Sequence, residues 1–132
     1  MQIYSVVIAD DHMLVRQSIR RILESADRFA IVGEADNGVS AVTIVKSLQP
    51  SLLVLDIAMP QATGVEVIEE IRRWSPHTRI AVVTGMSSGG MLQHVYDSGV
   101  DGIFLKSGDT AGWAEEFLAI CEGRRCIGEA IL

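Results

Sequence analysis

Asp10 and Asp11 stand as a pair, Asp56 stands alone, and Thr84 and Lys106 follow further along the chain. Each lies at the end of a short apolar run, and that shared setting makes them worth considering together. Three carboxylates converging on one spot would repel one another and raise their pKa values. A divalent cation removes the conflict. Hard oxygen ligands, with no thiol or histidine cluster beside them, suit Mg²⁺ that keeps several of its waters. A cation beside Asp56 would shield the approach of an anionic phosphoryl donor, and an Asp56 oxygen could then attack phosphorus and form an acyl phosphate. The Lys106 ammonium would offset charge on the transferring group, and the Thr84 hydroxyl could hydrogen-bond a phosphoryl oxygen.

Taken singly, each residue has an ordinary explanation. An aspartate pair after a strand is most often a helix N-cap, a strand-end threonine reflects β-propensity, and a lysine is usually a solvated charge. Their joint placement on four strands, all at the same end, carries the chemical reading. Asp36 also follows a strand, but Asp36-Asn37-Gly38 reads as a plain turn. His12, His77 and His94 are scattered and read as surface residues or as groups behind the first ligands.

The elements that must position these side chains follow from periodicity. Ser51-Leu52-Leu53-Val54-Leu55-Asp56 is a short apolar run, with Pro60 four residues past the aspartate, and reads as a strand buried on both faces. Similar strands are expected over 3–9, 30–35, 79–84 and 102–106. Between them, helices are expected over 12–25, after the turn at Gly38 to about Leu48, from Thr63 as N-cap to Trp74, over 88–98 and over 109–121. The inner positions read as Val15, Ile19, Ile22 and Leu23; Ala41, Val42, Val45 and Leu48; Val67, Ile68, Ile71 and Trp74; and Trp113, Phe117, Leu118 and Cys121. The fourth helix is weak, because Gly89-Gly90 in its first turn costs about 1 kcal/mol per glycine against alanine. Strict alternation of strand and helix implies an α/β fold, a doubly wound parallel sheet with helices on both faces. In such a sheet, ligands bind beyond the carboxyl ends of the strands.

Bulk properties narrow the rest. The 132 residues make one domain, and 48% hydrophobic residues exceed what a disordered chain carries. A formal net charge of −6 argues against this segment gripping nucleic acid. The apolar runs are too short to span a membrane, and a cytoplasmic location is expected. Cys121 and Cys126 read as free thiols. Residues 123–132 carry no full element, and their apolar end leads us to expect a further domain beyond them.

With these residues in view, the chain resembles the receiver domain of two-component response regulators from about Ile3 to Glu122. The motifs are Ile8-Ala9-Asp10-Asp11-His12, Leu55-Asp56-Ile57-Ala58-Met59-Pro60 with Gly64, Val82-Val83-Thr84-Gly85 and Phe104-Leu105-Lys106-Ser107. The Lys106-Ser107 junction and the tail look like the LuxR-type (NarL/FixJ-like) subfamily. The resemblance implies a (βα)5 flavodoxin-like sandwich of strand order 2-1-3-4-5, with a receiver at 1–122 and the start of a linker at 123–132. It implies that Asp56 is the phosphoacceptor. Asp11, Asp56 and the backbone carbonyl of Ala58 would bind Mg²⁺, with Asp10 acting mainly through metal-bound water. Thr84 and Lys106 would contact the phosphoryl group. The partner implied is a sensor histidine kinase. DNA would be reached only through a helix-turn-helix domain outside this chain, and phosphorylation could bring two copies together. The chain would be no enzyme beyond phosphorylating, and at most dephosphorylating, itself. It departs from the family at Ile103, where an aromatic is usual; Phe104 falls on the other face of the strand.

Other functions fit less well. A haloacid-dehalogenase-type phosphatase wants a second aspartate where this chain has Ala58, and a flavin carrier wants a phosphate loop where this chain has Asp10-Asp11. A stand-alone or degenerate receiver acting as a protein-interaction module is the remaining alternative. Ala58 and Met86 lie two places after the acceptor and the threonine, and neither can position an attacking water by hydrogen bonding. The phosphoryl group should therefore outlast that of receivers with polar residues at both places. A time course of acyl-phosphate decay checks this, and fast decay that slows when Met86 is changed would contradict it.

Overall fold

The strand that ends at Asp56, β3 (Leu52–Leu55), is buried at all four positions and lies inside a parallel sheet. The computed structural model describes residues 2–59, 63–85, 89–106 and 108–127, with backbone alone at 89–91. Pro60, Met86, Ser107 and the tail from residue 128, all used in the sequence reading, lie outside the described residues. The other strands are β1 (Tyr4–Ala9), β2 (Phe29–Ala35), β4 (Arg79–Thr84), β5 (Gly102–Leu105) and β6 (Cys126–Ile127). They run in the order β2-β1-β3-β4-β5-β6 and every pairing is parallel. The helices are α1 (Met13–Glu24), α2 (Gly38–Leu48), α3 (Gly64–Trp74), α4 (Gly89–Asp97) and α5 (Trp113–Cys121).

Strand alternation divides the core into two layers. Val7, Ala9, Leu53, Leu55, Ile80, Val82 and Ile103 pack against α2, α3 and α4, whereas Val6, Ile8, Leu52, Val54, Ala81, Val83 and Phe104 pack against α1 and α5. With both faces covered, a polar residue fits only at a strand end, and because all strands are parallel their carboxyl ends lie along one edge. The expected order 2-1-3-4-5 is therefore present. The tail, read as carrying no full element, contributes a two-residue sixth strand. Cys126 N–H donates to the Asp101 carbonyl at 2.9 Å, and two residues of the tail lie beside Gly102 and Ile103.

Several helix signals hold. Thr63 N-caps α3 in a reciprocal box with Glu66, each bond 3.2 Å long. Asn37, read only as part of a turn, also caps α2 by accepting from Ser40 N–H. Three details differ. The last helix starts at Trp113, four residues after Asp109, because Gly112 at φ +87° is left-handed and the Asp109 side chain caps a turn at Ala111. Its buried positions are Trp113, Phe117 and Ile120, while Leu118 and Cys121 are only half-buried. Trp74 is 42% exposed rather than core, and Leu48 is exposed as well. Trp74 donates its indole N–H to Glu70 and carries the Lys46 ammonium 3.8 Å from its ring centroid, which satisfies it at the surface.

β2 contains a bulge. Val6 pairs with Ile31 but Val7 pairs with Gly33, leaving Val32 without a partner on β1. The extra residue switches the facing of the strand, so that Ile31 packs on the α1 layer and Ala35 on the α2 layer. Glu34, opposite Ile8, is thereby turned toward α1.

Gly64 explains itself by contact. A Cβ placed there would lie 2.5 Å from Ile57 Cβ and 3.0 Å from Ile57 Cα. Ile57 follows Asp56 directly, so the first turn of α3 lies hard against the segment that carries the carboxylate. Gly64→Ala should destabilise the fold by about 1–3 kcal/mol through overpacking. Denaturant unfolding checks this as a lower midpoint at unchanged m; an unchanged midpoint would show that Ile57 yields freely.

Candidate functional site

The site begins where β1 and β3 end side by side. Asp56 N–H donates to the Ala9 carbonyl at 2.9 Å, and Asp10 N–H donates to the Ala35 carbonyl at 3.0 Å. Asp10 and Asp56 thus leave adjacent strands at the same level, and both are buried. Each has one oxygen held by a backbone N–H nearby in sequence. His12 N–H donates to Asp10 Oδ1 at 2.9 Å and Ala58 N–H to Asp56 Oδ1 at 3.0 Å. The N-cap of α1 is His12, with no side-chain cap, so neither Asp10 nor Asp11 is spent on capping that helix.

Lys106 follows β5 and reaches back toward both carboxylates. Its Nζ lies 3.0 Å from Asp10 Oδ2 and 3.3 Å from Asp56 Oδ2, and its N–H donates to the Thr84 carbonyl at 2.9 Å. The contact with Asp56 is a hydrogen bond. The contact with Asp10 is a charge pair out of hydrogen-bond alignment, and among the described residues no group donates a hydrogen bond to the buried Asp10 Oδ2. Thr84 closes β4 and is fully buried.

Asp11 is exposed, and its carboxylate joins the group. One ligand atom each from Asp10, Asp11, His12 and Asp56 lies within 4.8 Å of the others. His12 Nδ1 is 3.1 Å from Asp11 Oδ1 and 3.5 Å from Asp10 Oδ1. His12, read as a surface residue or a group behind the ligands, has a side chain 68% exposed that reaches both aspartates of the pair. Its place directly after the pair was the available signal. His77 and His94 are exposed elsewhere, and Asp36 accepts from Asn37 in its turn, as expected.

Electrostatics follow from this geometry. Burial pushes the Asp56 carboxyl above its ordinary value and the Asp10 charge adds to this; the Ala58 N–H and Lys106 oppose it. Burial alone would lower Lys106, but the two carboxylates outweigh it and its pKa is raised. The donor set fits a divalent cation. It offers three carboxylates from two adjacent strand ends, one with a buried oxygen that pairs with the Lys106 ammonium but among the described residues accepts no aligned hydrogen bond.

The family model for the response regulator receiver domain matches residues 6–115. The chain belongs to that family. Among curated relatives, the transcriptional regulatory protein DegU of Brevibacillus brevis is 30% identical over 89% of this chain and 50% of its own length. The nitrate/nitrite response regulator NarP of Escherichia coli is 28% identical over 97% of this chain and 60% of its own. This chain therefore spans about half to three fifths of those relatives. Among solved structures, the isolated receiver domain of RcsB from Salmonella enterica, determined with a phosphomimetic, superimposes with a TM-score of 0.92 at 28% identity, covering 98% of this chain and 96% of that one. A LuxR-family regulator from Aurantimonas gives 0.90 at 28% identity, covering 98% and 93%. These likenesses support a receiver of the NarL/LuxR type. Among the described residues no helix is long and apolar enough to cross a membrane.

The raised Asp56 value makes a prediction about stability. A carboxyl raised on folding destabilises the folded state when ionised, so the penalty is present above its folded value and fades as pH falls toward the unfolded one. Asp56→Asn should therefore be more stable than wild type near neutral pH, seen as a higher Tm. The difference should shrink as pH falls through the carboxylate range. Thermal unfolding across pH without added metal checks this, and a variant less stable at pH 7 would contradict it.

Proposed function

We propose that Asp56 accepts a phosphoryl group from the phosphohistidine of a sensor histidine kinase, and that the resulting charge switches the conformation of the domain. One observation carries the reading: a buried Asp56 carboxylate, one oxygen fixed by Ala58 N–H and the other facing Lys106, stands at a strand end among two further aspartates. Asp10, Asp11, Asp56 and the backbone carbonyl of Ala58 would hold Mg²⁺. When bound, the ion would relieve repulsion among the carboxylates and offset charge on the incoming phosphoryl group.

An Asp56 oxygen attacks phosphorus, the phosphorus–nitrogen bond to the kinase histidine breaks, and its electron pair stays with the imidazole. Lys106 needs little rearrangement for this, because its ammonium already lies against Asp56 and follows the charge onto the phosphoryl oxygens. The Thr84 hydroxyl then hydrogen-bonds the phosphoryl group from the end of β4. We read the chain as a phosphoacceptor with at most self-dephosphorylation, in keeping with a receiver family that signals rather than turning over a separate substrate.

The switched domain would control transcription through a DNA-binding region elsewhere in the protein, in the cytoplasm, with phosphorylation favouring a homodimer. The relatives support this. DegU is a transcriptional regulatory protein, and RcsB has been solved in complex with DNA. The acidic charge of this chain fits a segment that leaves DNA contact to another.

The test is phosphorylation by a small-molecule acyl phosphate, with and without Mg²⁺, read by mass spectrometry on wild type and Asp56→Asn. Wild type should gain one phosphoryl group only with Mg²⁺, and the variant none. No Mg²⁺-dependent gain at Asp56 would overturn the proposal.

A further inference from the structure

The acidic turn is held from behind by a residue that the phosphotransfer reading does not use. Arg16 lies in the first turns of α1 with its side chain only 17% exposed. Its Nη1 donates to the Asp10 carbonyl at 2.7 Å, and its Nε donates to Glu34 Oε1 at 3.2 Å. The other Glu34 oxygen accepts from Arg20 Nη2. Burial opposes the Glu34 charge, but the Arg20 and Arg16 contacts win and hold its pKa below the ordinary value. Glu34 faces α1 only because of the bulge at Val32.

The contact point matters more than the charge. The Asp10 carbonyl belongs to the planar peptide that joins Asp10 to Asp11. Both side chains project from the two ends of that plane, so fixing its rotation fixes the directions of two carboxylates together. Asp10 N–H is already tied to Ala35, on the same strand as Glu34. Arg16 thus completes a frame in which β2 holds the Asp10 backbone at its N–H directly and at its C=O through a guanidinium. His12 N–H also fastens this turn, through Asp10 Oδ1, but among the described residues Arg16 is the side chain that holds the Asp10 carbonyl. A planar guanidinium can bind carbonyl and carboxylate at once, which an ammonium does less well.

We propose that Arg16, seated on Glu34, is a positioning residue for the acidic metal site: it sets the orientation of the Asp10–Asp11 peptide and so the affinity for Mg²⁺. This rests on the reading that the acidic cluster holds Mg²⁺. The bulge at Val32 then has a role in the site, because it turns Glu34 toward the arginine. Groups behind the ligands at metal sites typically change affinity by about 10–100-fold when removed.

The experiment is calorimetric titration of Mg²⁺ into unphosphorylated wild type, Arg16→Met, Arg16→Lys, Glu34→Ala and the Arg16→Met/Glu34→Ala pair. Thermal unfolding without metal runs alongside to establish that each variant is folded. Arg16→Met should weaken Mg²⁺ binding by about tenfold or more. Arg16→Lys should recover only part of the loss, Glu34→Ala should weaken binding in the same direction, and the pair should be no worse than Arg16→Met. Folded Arg16 variants that bind Mg²⁺ as tightly as wild type would overturn the inference, and full recovery by lysine would replace positioning with bare charge. If Arg16→Met does not fold, Arg16→Lys and Glu34→Ala decide by the same criteria. Failure of wild type to bind Mg²⁺ would instead overturn the metal reading itself.

Discussion

One ammonium between two buried carboxylates sets the terms for the rest of the structure. Lys106 faces Asp10 and Asp56 at the ends of β1 and β3, where the two buried carboxylates otherwise repel one another. The arrangement holds only if three chain segments far apart in sequence arrive at one level. β1, β3 and β5 bring them there because each is apolar on both sides and stops at the same edge. A one-residue slip in any pairing would exchange the two core layers and point these groups elsewhere. The core therefore fixes the register, and the register fixes the site.

The surroundings of the site are built in the same way, by backbone more than by side chains. Asp56 is tied through its N–H to Ala9 and through its carboxylate to Ala58 N–H, and Gly64 lets α3 press against Ile57. Asp10 is tied to β2 at one end and to His12 at the other. Such anchoring leaves the outer carboxylate oxygens directed at Lys106 without many polar groups competing for them. It also explains how a cluster of like charge is held together: the apolar layers fix its backbone, and the lysine offsets part of the repulsion.

Most of this was legible in the sequence because the signals were long and independent. Five apolar runs of strand length, each separated by a helical pattern, specify a parallel sheet, and the polar residue at each strand end then stands out. What stayed hidden depends on contacts that no local pattern encodes. Trp74 fits the apolar stripe of α3 yet lies at its last turn, where the helix leaves the core and Lys46 covers the ring. β6 is two residues long, too short for periodicity, and exists because the edge of β5 offers partners. The bulge at Val32 leaves no mark in a run that reads Ala-Ile-Val-Gly-Glu-Ala, and with it the facing of Glu34 toward Arg16 was invisible. The late start of α5 turns on one left-handed glycine among several candidate breakers.

The position three residues before Lys106 shows how the same register limits the way charge at Asp56 can be reported. Ile103 is buried in the layer shared with α2, α3 and α4, where a rotamer change moves only a few carbons. The aromatic next to it, Phe104, points the other way and is enclosed by Trp113 and Phe117, with ring centroids 5.3 and 4.9 Å away. A ring packed between two others does not swing without opening the α1–α5 layer. Among the described residues, the groups placed to respond lie at the strand ends, including Thr84, the Lys106 side chain shared between two carboxylates, and the segment around the exposed Ala58. If Asp56 takes up charge as proposed, the response starts at the edge of the sheet, because the core beneath it is filled on both faces.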